Sequence, residues 1–439
     1  MPPVTTFPTL RPPVPDETRG RPGGARLVRA GFIPLIDMAI LAVAAECGFT
    51  DREGITLQLV KDVSWSNIRD RLAFRQFDVA HMLAPMPVAS QLGLGSNPLP
   101  VFAPLALGRG GNAITLSLDL HREMVARTGL AADADALASA RALKMVIDAR
   151  RAAGKPPLVF AMTYPYSSHN YEFRFWMAAG GIHPDRDVMM TVVPPPLTAD
   201  ALAAGAIDGF CVNAPWNMIA VERGIGRVVA TKSDLWPSAP EKVLGVRPDW
   251  ADAHPDTLSR LIVALDGAAR WCDVPDNRAH LAEILADERY IGTPADVLFR
   301  LLDGRFTIDP DGQVRQIPDY FVFHRDAANF PWESEALWIY SQMVRWGQTA
   351  FEPEHVTAAA RAFRPDLYRA ALGRSDTAIP LADRRIEGVD PVLIPTTRGD
   401  LHLTGDHFID GRVFDPDAVA DYVAGFAIRS ETVARSAHF

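Results

Sequence analysis

Cysteine is scarce in this chain of 439 residues. Cys47, Cys211 and Cys272 are odd in number and widely spaced, and no C-x-x-C occurs. That pattern excludes a disulfide framework and a zinc knuckle, and free thiols fit a reducing compartment. Long apolar runs are lacking as well. The longest near the start, Met38 to Ala45, is closed off by Asp37 and Glu46, far short of the roughly 18 residues of a spanning helix. Basic charge is not in excess: Lys and Arg number 44 against 53 Asp and Glu, a formal net charge of −9. Such a surface repels a nucleic-acid backbone on balance, so direct RNA or DNA binding is not expected. The signatures G-x-x-x-x-G-K-[ST], H-E-x-x-H and G-x-S-x-G are missing, as is G-x-G-x-x-G between a strand and a helix. The familiar catalytic machinery goes with them.

What is present is ordinary in bulk. Hydrophobic residues make up 48% and charged residues 22%, close to the average globular protein, so wholesale disorder is excluded. At about 150 residues per domain the length suggests two or three compact units. Residues 1–25, MPPVTTFPTLRPPVPDETRGRPGGA, hold seven prolines and lack the apolar stretch of about 7–15 residues of a secretory signal. They read as a mobile polyproline-like arm, and the mature protein is expected in the cytoplasm.

From residue 26 apolar runs alternate with helical patterns: LVRAGF, a helix from about Asp37 to Cys47, ITLQLV, a helix near Asn67 to Gln76, a strand at Val79 to Leu83, and a strand around Leu99 to Leu105. This is βαβ rhythm. After GRGGN (108–112) it resumes with the helix ALASARALKMVIDARRAAGK, the strand LVFAMTYP, a helix after Ser168, the strand VMMTVVPP and a strand at Gly209 to Val212. The expected organisation is an arm at 1–25, the first part of lobe 1 at 26–112, lobe 2 at 113–242, a return to lobe 1 with packing helices at 243–330, and C-terminal helices with a wrapping tail at 331–439. Leu72 to Pro85 (LAFRQFDVAHMLAP) and Leu202 to Pro215 (LAAGAIDGFCVNAP) share Leu, Ala, Asp, Ala and Pro at a constant offset of 130. The common grammar is helix end, turn, buried strand, then Pro at a helix start. Each lobe thereby offers the place where open parallel sheets bind ligands.

Two runs carry donors at those lobe mouths. Ser64, Trp65, Ser66 and Asn67 open a helix after a strand, and Ser167, Ser168, His169 and Asn170 do so in the second lobe. Both read as halves of an anion site. Lys242, in SAPEKVLGVR, would add the ammonium that a small monoanion requires. Composition leaves the plainer alternatives open: Trp65 as a packing residue, His169 as an ordinary helix-start residue, Lys242 as a solvated lysine and Asn112 as a turn residue. The C-terminal cluster of Asp400, His402, Asp406, His407 and Asp410 reads as turn chemistry rather than a metal site.

At GFIPLIDMAILAVAAECGF, SWSNIRDRLAFRQFDVAHMLAPMPVA, FAMTYPYSSHNYEFRFWMAAGGIHPDRDV, CVNAPWN, EKVLGVRPDW, PWESEALWIY and FIDGRVFDP the chain resembles the nitrate- and bicarbonate-binding solute receptors. The resemblance spans about residues 27 to 430. It implies an α/β, two-lobed type II periplasmic-binding-protein-like fold with a helical and irregular C-terminal extension. It also implies an anion held between the lobes by Trp65, Asn112, His169, Val212, Asn213 and Lys242, with no metal or cofactor and no catalysis. Asn112 matches its place more loosely, because relatives commonly carry glutamine there. A lysine at 242 favours nitrate or nitrite, whereas a carboxylate there would suit bicarbonate with a counter-cation. Among relatives the chain looks like the cytoplasmic NasS-type branch, whose members hold an RNA-binding antitermination regulator of the NasT type and release it when the anion arrives. The competing expectations are the periplasmic solute-binding component of a nitrate ABC transporter and an enzyme of similar fold using His169.

Overall fold

The computed structural model describes residues 25–96, 99–403 and 405–430. The expected proline-rich arm lies outside the described residues, except for its last position. Two sheets dominate. The first comprises β1 (Arg26–Phe32), β2 (Ile55–Lys61) and β3 (Val79–Leu83), joined later by β10 (Lys242–Val246), in the order β10-β3-β1-β2. After the short β4 (Arg109–Gly110), which pairs with Phe321–Val322, the second sheet contains β5 (Asn112–Ser117), β6 (Val159–Met162), β7 (Met189–Val192), β8 (Gly209–Asn213) and β9 (Gly226–Thr231), in the order β7-β6-β8-β5-β9.

The repeated segment has a topological meaning. β2-β1-β3 and β7-β6-β8 are parallel triplets of the same order, and each is flanked by one antiparallel strand arriving from the other lobe. In the first sheet that strand is β10, with Lys242 opposite Leu83; in the second it is β5, with Asn112 opposite Asn213. Leu83 and Asn213 are themselves 130 residues apart. Asn112 and Lys242 are thus counterparts, each the first residue of the strand that enters its lobe.

The two strands of the repeated segment form where apolar residues run continuously, because both sheet faces are covered there: VAHML and GFCVN are buried at every position. The strand expected at Leu99 to Leu105 is not formed. Pro100 and Pro104 remove backbone donors, and the segment makes only isolated bridges, Phe102 to Val246 and Ala103 to Phe363. Gly111, at the first crossover, has φ +88°, and a Cβ there would strike the Phe321 ring and the Asn213 amide. Only glycine fits that approach.

Behind the first sheet the helix Pro255–Cys272 packs on Ala39–Glu46. The helix Glu333–Arg345 carries Trp338 against Trp236, with ring centroids 4.8 Å apart, and Phe408 packs on Trp236 at 4.8 Å and on Phe175 at 5.8 Å. The C-terminal wrap is also bonded to the second crossover, the chain between β9 and β10: Ile409 N–H donates to the Leu235 carbonyl (2.8 Å), and Ser238 N–H to Asp406 Oδ1 (3.1 Å). Asp406 is therefore a structural acceptor, while His402 and His407 are exposed. No grouping of three or more His, Cys, Asp or Glu suited to a metal occurs among the described residues.

Candidate anion-binding site

The two helices read as lobe mouths begin as their sequences require. Ser64 caps Trp65–Ala73 by accepting from Asn67 N–H (3.2 Å), and Ser167 caps Ser168–Ala179 by accepting from Asn170 N–H (3.0 Å). The caps therefore serve the helices rather than a ligand. Asn67 and Asn170 are committed as well, donating to Asp62 Oδ1 and the Pro165 carbonyl, both at 2.8 Å. Ser66 is exposed. What the helix starts send inward are Trp65, the first helical residue in one lobe, and His169, the second in the other, both buried.

Between them lies a buried charge cluster. The Lys242 ammonium sits 2.7 Å from Asp37 Oδ2, is bonded to Glu241 Oε1, and lies 5.4 Å from the centroid of the Trp65 ring, a cation–π distance. Asp37 Oδ1 in turn pairs with His81 Nε2 at 2.8 Å. Ile33 N–H donates to His81 Nδ1 at 3.4 Å, which leaves the imidazole proton on Nε2, facing Asp37. Burial works to raise the Asp37 carboxyl, but Lys242 and His81 override it and hold it below its ordinary range.

On the second-lobe side Asn112 Nδ2 donates to Glu172 Oε2 and to Glu241 Oε2, both at 2.9 Å, and Asn112 Oδ1 accepts from Asn213 Nδ2 at 2.9 Å. Asn213 Nδ2 also donates to the Gly110 carbonyl at 3.1 Å. His169 Nδ1 is 2.9 Å from Thr163 Oγ1, and its Nε2 lies 3.2 Å from Glu241 Oε1 without the alignment of a full hydrogen bond. Lys232 Nζ stands 3.6 Å from Glu172 Oε1 and 3.8 Å from Glu241 Oε2. Val212 lies opposite Ala113 with its side chain in the apolar cluster that includes Val243.

Burial sets the protonation states. Desolvation drives His169 down to about 3, so the ring is neutral at cellular pH. The same cause pushes the Glu172 carboxyl up to about 7, against the pull of Lys232. Burial also acts to raise Glu241, but Lys242 overrides it and keeps that carboxylate ionised. Three buried donors, Trp65 Nε1, His169 Nε2 and Lys232 Nζ, have no hydrogen-bond acceptor among the described residues. Buried polar atoms are rarely left so, and a cluster of orphaned donors is chemistry suited to an oxyanion.

The sequence-predicted residues Trp65, Asn112, His169, Asn213 and Lys242 are thus gathered into one buried region. Lys242 is fully buried, not a solvated lysine. Five further members were not singled out from the sequence: Asp37, His81, Glu172, Lys232 and Glu241. Signals for them exist, since Asp37 and His81 interrupt apolar runs, Glu172 follows His169 by three residues on one helix face, and Glu241 precedes Lys242 directly.

Residues 22–286 match the NMT1-like family. The chain is 34% identical over 406 residues to the nitrate import ATP-binding protein NrtC of Synechocystis sp. (strain ATCC 27184 / PCC 6803 / Kazusa), covering 91% of this chain and 55% of that protein. It is 31% identical over 432 residues to the nitrate/nitrite binding protein NrtA of Synechococcus elongatus (strain ATCC 33912 / PCC 7942 / FACHB-805), covering 95% and 90%. The chain spans about half the length of the first curated relatives it matches. Among solved structures, the periplasmic nitrate-binding protein NrtA from Synechocystis PCC 6803 superposes with a TM-score of 0.80 at 26% identity, over 92% of this chain and 99% of that one. The two-lobed fold implied by the resemblance is the one found. No helix among the described residues is long and apolar enough to cross a membrane. On the matched family, and with this extended likeness to NrtA, the chain belongs to the NMT1-like family and has a periplasmic-binding-protein fold.

Proposed function

We propose that the chain is a receptor for a small monovalent oxyanion, nitrate or nitrite, taken between the lobes by Trp65, Asn112, His169, Asn213 and Lys242, with Val212 lining the site. The observation that carries this is the pair of orphaned donors, the Trp65 indole N–H and His169 Nε2, sent in from opposite lobes beside the Lys242 ammonium. Nitrate keeps its charge at any cellular pH and offers only acceptors, which is what an indole, a neutral imidazole donor and an ammonium demand. No group is placed to make or break a bond in this reading, and the relatives NrtC and NrtA are named for nitrate import and nitrate/nitrite binding. Calorimetric titration of the anion-free chain with nitrate and nitrite tests it: a one-to-one heat is expected, and none with either salt would refute it.

Glu241 favours a second reading. Bicarbonate carries an O–H that a carboxylate such as Glu241 can accept, which nitrate does not, so bicarbonate belongs in the same titration. A heat with bicarbonate alone would replace nitrate by bicarbonate.

The cellular role we propose is that of a cytoplasmic sensor, which holds an RNA-binding antitermination regulator of the NasT type and releases it on anion binding. An acidic chain of net charge −9 suits a partner with a basic RNA-binding surface. A coupling of about 1–3 kcal/mol between anion and partner changes partner affinity roughly 5- to 150-fold. The periplasmic location stated for NrtA favours instead a transport receptor. Fractionation with co-purification separates the two: a cytoplasmic complex dissolved by nitrate is expected, and a periplasmic pool without that partner would overturn the sensor.

A further inference from the structure

Glu241 lies in the second crossover, one residue ahead of β10, and its carboxylate is buried at the meeting point of both lobes. One oxygen is bound by the Lys242 ammonium and lies 3.2 Å from His169 Nε2. The other accepts from Asn112 Nδ2 at 2.9 Å and has Lys232 Nζ at 3.8 Å. Its backbone carbonyl is shared in the same way, accepting from Ala84 N–H of the first lobe at 2.9 Å and from Ser168 Oγ of the second at 3.5 Å. Three of the four groups on the carboxylate are those assigned above to the ligand. A carboxylate is also a planar oxyanion of one negative charge, with the shape and valence of the anions in question.

We propose, on the reading of this site as an oxyanion receptor, that Glu241 is a tethered stand-in for the ligand: its carboxylate engages Asn112 and Lys242 and lies against His169, ties the lobes together there, and must swing aside when a nitrate-class anion enters and takes up the free Trp65 and His169 N–H groups as well.

The charges in the cluster require competition rather than coexistence. Asp37 and Glu241 already face Lys232 and Lys242, with Glu172 close behind. A second anion beside Glu241 would place like charges in contact at low dielectric, with Lys232 and Lys242 already engaged by the carboxylates. A tethered competitor is present at a fixed effective concentration, so it sets the anion level at which the receptor responds. It also makes Glu241 the residue that decides affinity, although it is no donor to the ligand.

The test uses the full chain, exhaustively dialysed against anion-poor buffer, as wild type, Glu241→Gln and Glu241→Ala. Circular dichroism and melting first establish that each is folded. Calorimetry with sodium nitrate and sodium nitrite should show binding at least tenfold tighter in Glu241→Ala, with Glu241→Gln between it and wild type. Small-angle scattering of the same anion-free samples should show a larger radius of gyration in both variants. Weaker or unchanged anion binding in the variants overturns the stand-in, because Glu241 would then be a ligand contact or plain structure. If no chain binds nitrate, nitrite or bicarbonate, the receptor reading fails instead. The scattering still decides: expansion keeps Glu241 as the tie between the lobes, and an unchanged radius removes it.

Discussion

Asp78 and Asp208, 130 residues apart, make the same pair of bonds in the two lobes. Asp78 Oδ2 accepts from Arg29 N–H at 2.8 Å while Asp78 N–H donates to the Arg29 carbonyl at 2.9 Å; Asp208 Oδ2 accepts from Val159 N–H at 2.7 Å while Asp208 N–H donates to the Val159 carbonyl at 2.7 Å. Each thereby pins the middle strand of its parallel triplet, β1 or β6, to the turn before the repeated strand. Replacing either by Ala leaves a strand amide without its acceptor and should cost about 1–3 kcal/mol. The two sites share no partner, so the double variant should lose the sum to within about 0.5 kcal/mol, as measured by urea titration. A cost in only one lobe would mean that the shared Asp is coincidence.

Lys242 stands between two carboxylates, and its removal should hurt the fold as well as the site. Lys242→Met leaves Asp37 and Glu241 buried with their common counter-ion gone, a loss of about 3–5 kcal/mol. Anion binding should vanish with it. Adding Asp37→Asn should recover part of the stability and none of the binding. A Lys242→Met chain as stable as wild type would show that the ammonium is not the hub of the cluster.

Glu172 gives the fold a pH dependence of definite sign. Burial holds its carboxyl at about 7 against an ordinary 4.5, so folding favours the protonated form. The contribution is whole below about 4.5 and is lost as pH rises through about 7. Glu172→Gln is neutral throughout. Its melting temperature relative to wild type should therefore climb between pH 5 and pH 8, and a constant gap would remove the neutral carboxyl. Comparing the two chains cancels the opposite slope of His169, which is buried neutral and destabilises as pH falls below the ordinary histidine range.

Arg69 and Tyr164 latch the lobes outside the buried cluster. The Arg69 guanidinium, on the helix Trp65–Ala73, donates to the Tyr164 hydroxyl at 2.8 Å, beyond β6 in the other lobe. Tyr164→Phe removes the acceptor, a net loss of about 0.5–1.5 kcal/mol. Anion affinity should fall about 2- to 10-fold with the melting temperature almost unmoved. Titration calorimetry reads the change, and equal affinities would mean that the latch forms independently of ligand.

The parallel strands were legible as apolar runs closed by turn residues, most plainly β3 and β8, which are buried at every position. The antiparallel strands β5, β9 and β10 were not. NAITLS and KVLGV carry no signal of their own beyond a few apolar residues, and only the crossing of the chain between lobes gives them partners. Pro100 and Pro104 sit in a segment whose apolar content imitates a strand while its backbone lacks donors. At the site, Trp65 and His169 follow from capped helix starts, which are local and readable. The balance of Asp37, Glu172 and Glu241 against Lys232 and Lys242 is not, since it joins residues up to two hundred positions apart. Glu241 adjoins Lys242 in sequence, but only the turn into β10 folds the two side chains onto one another.

The bonds from Asp406 and Ile409 go to neither lobe's sheet but to the strip of chain between β9 and β10. That strip ends in Glu241, next to Lys242 at the start of β10. Trp236, in the same strip, packs against Trp338 and Phe408 at 4.8 Å each, so the C-terminal wrap and the helix Glu333–Arg345 are both fastened to the stretch of chain that delivers Glu241 to the buried cluster.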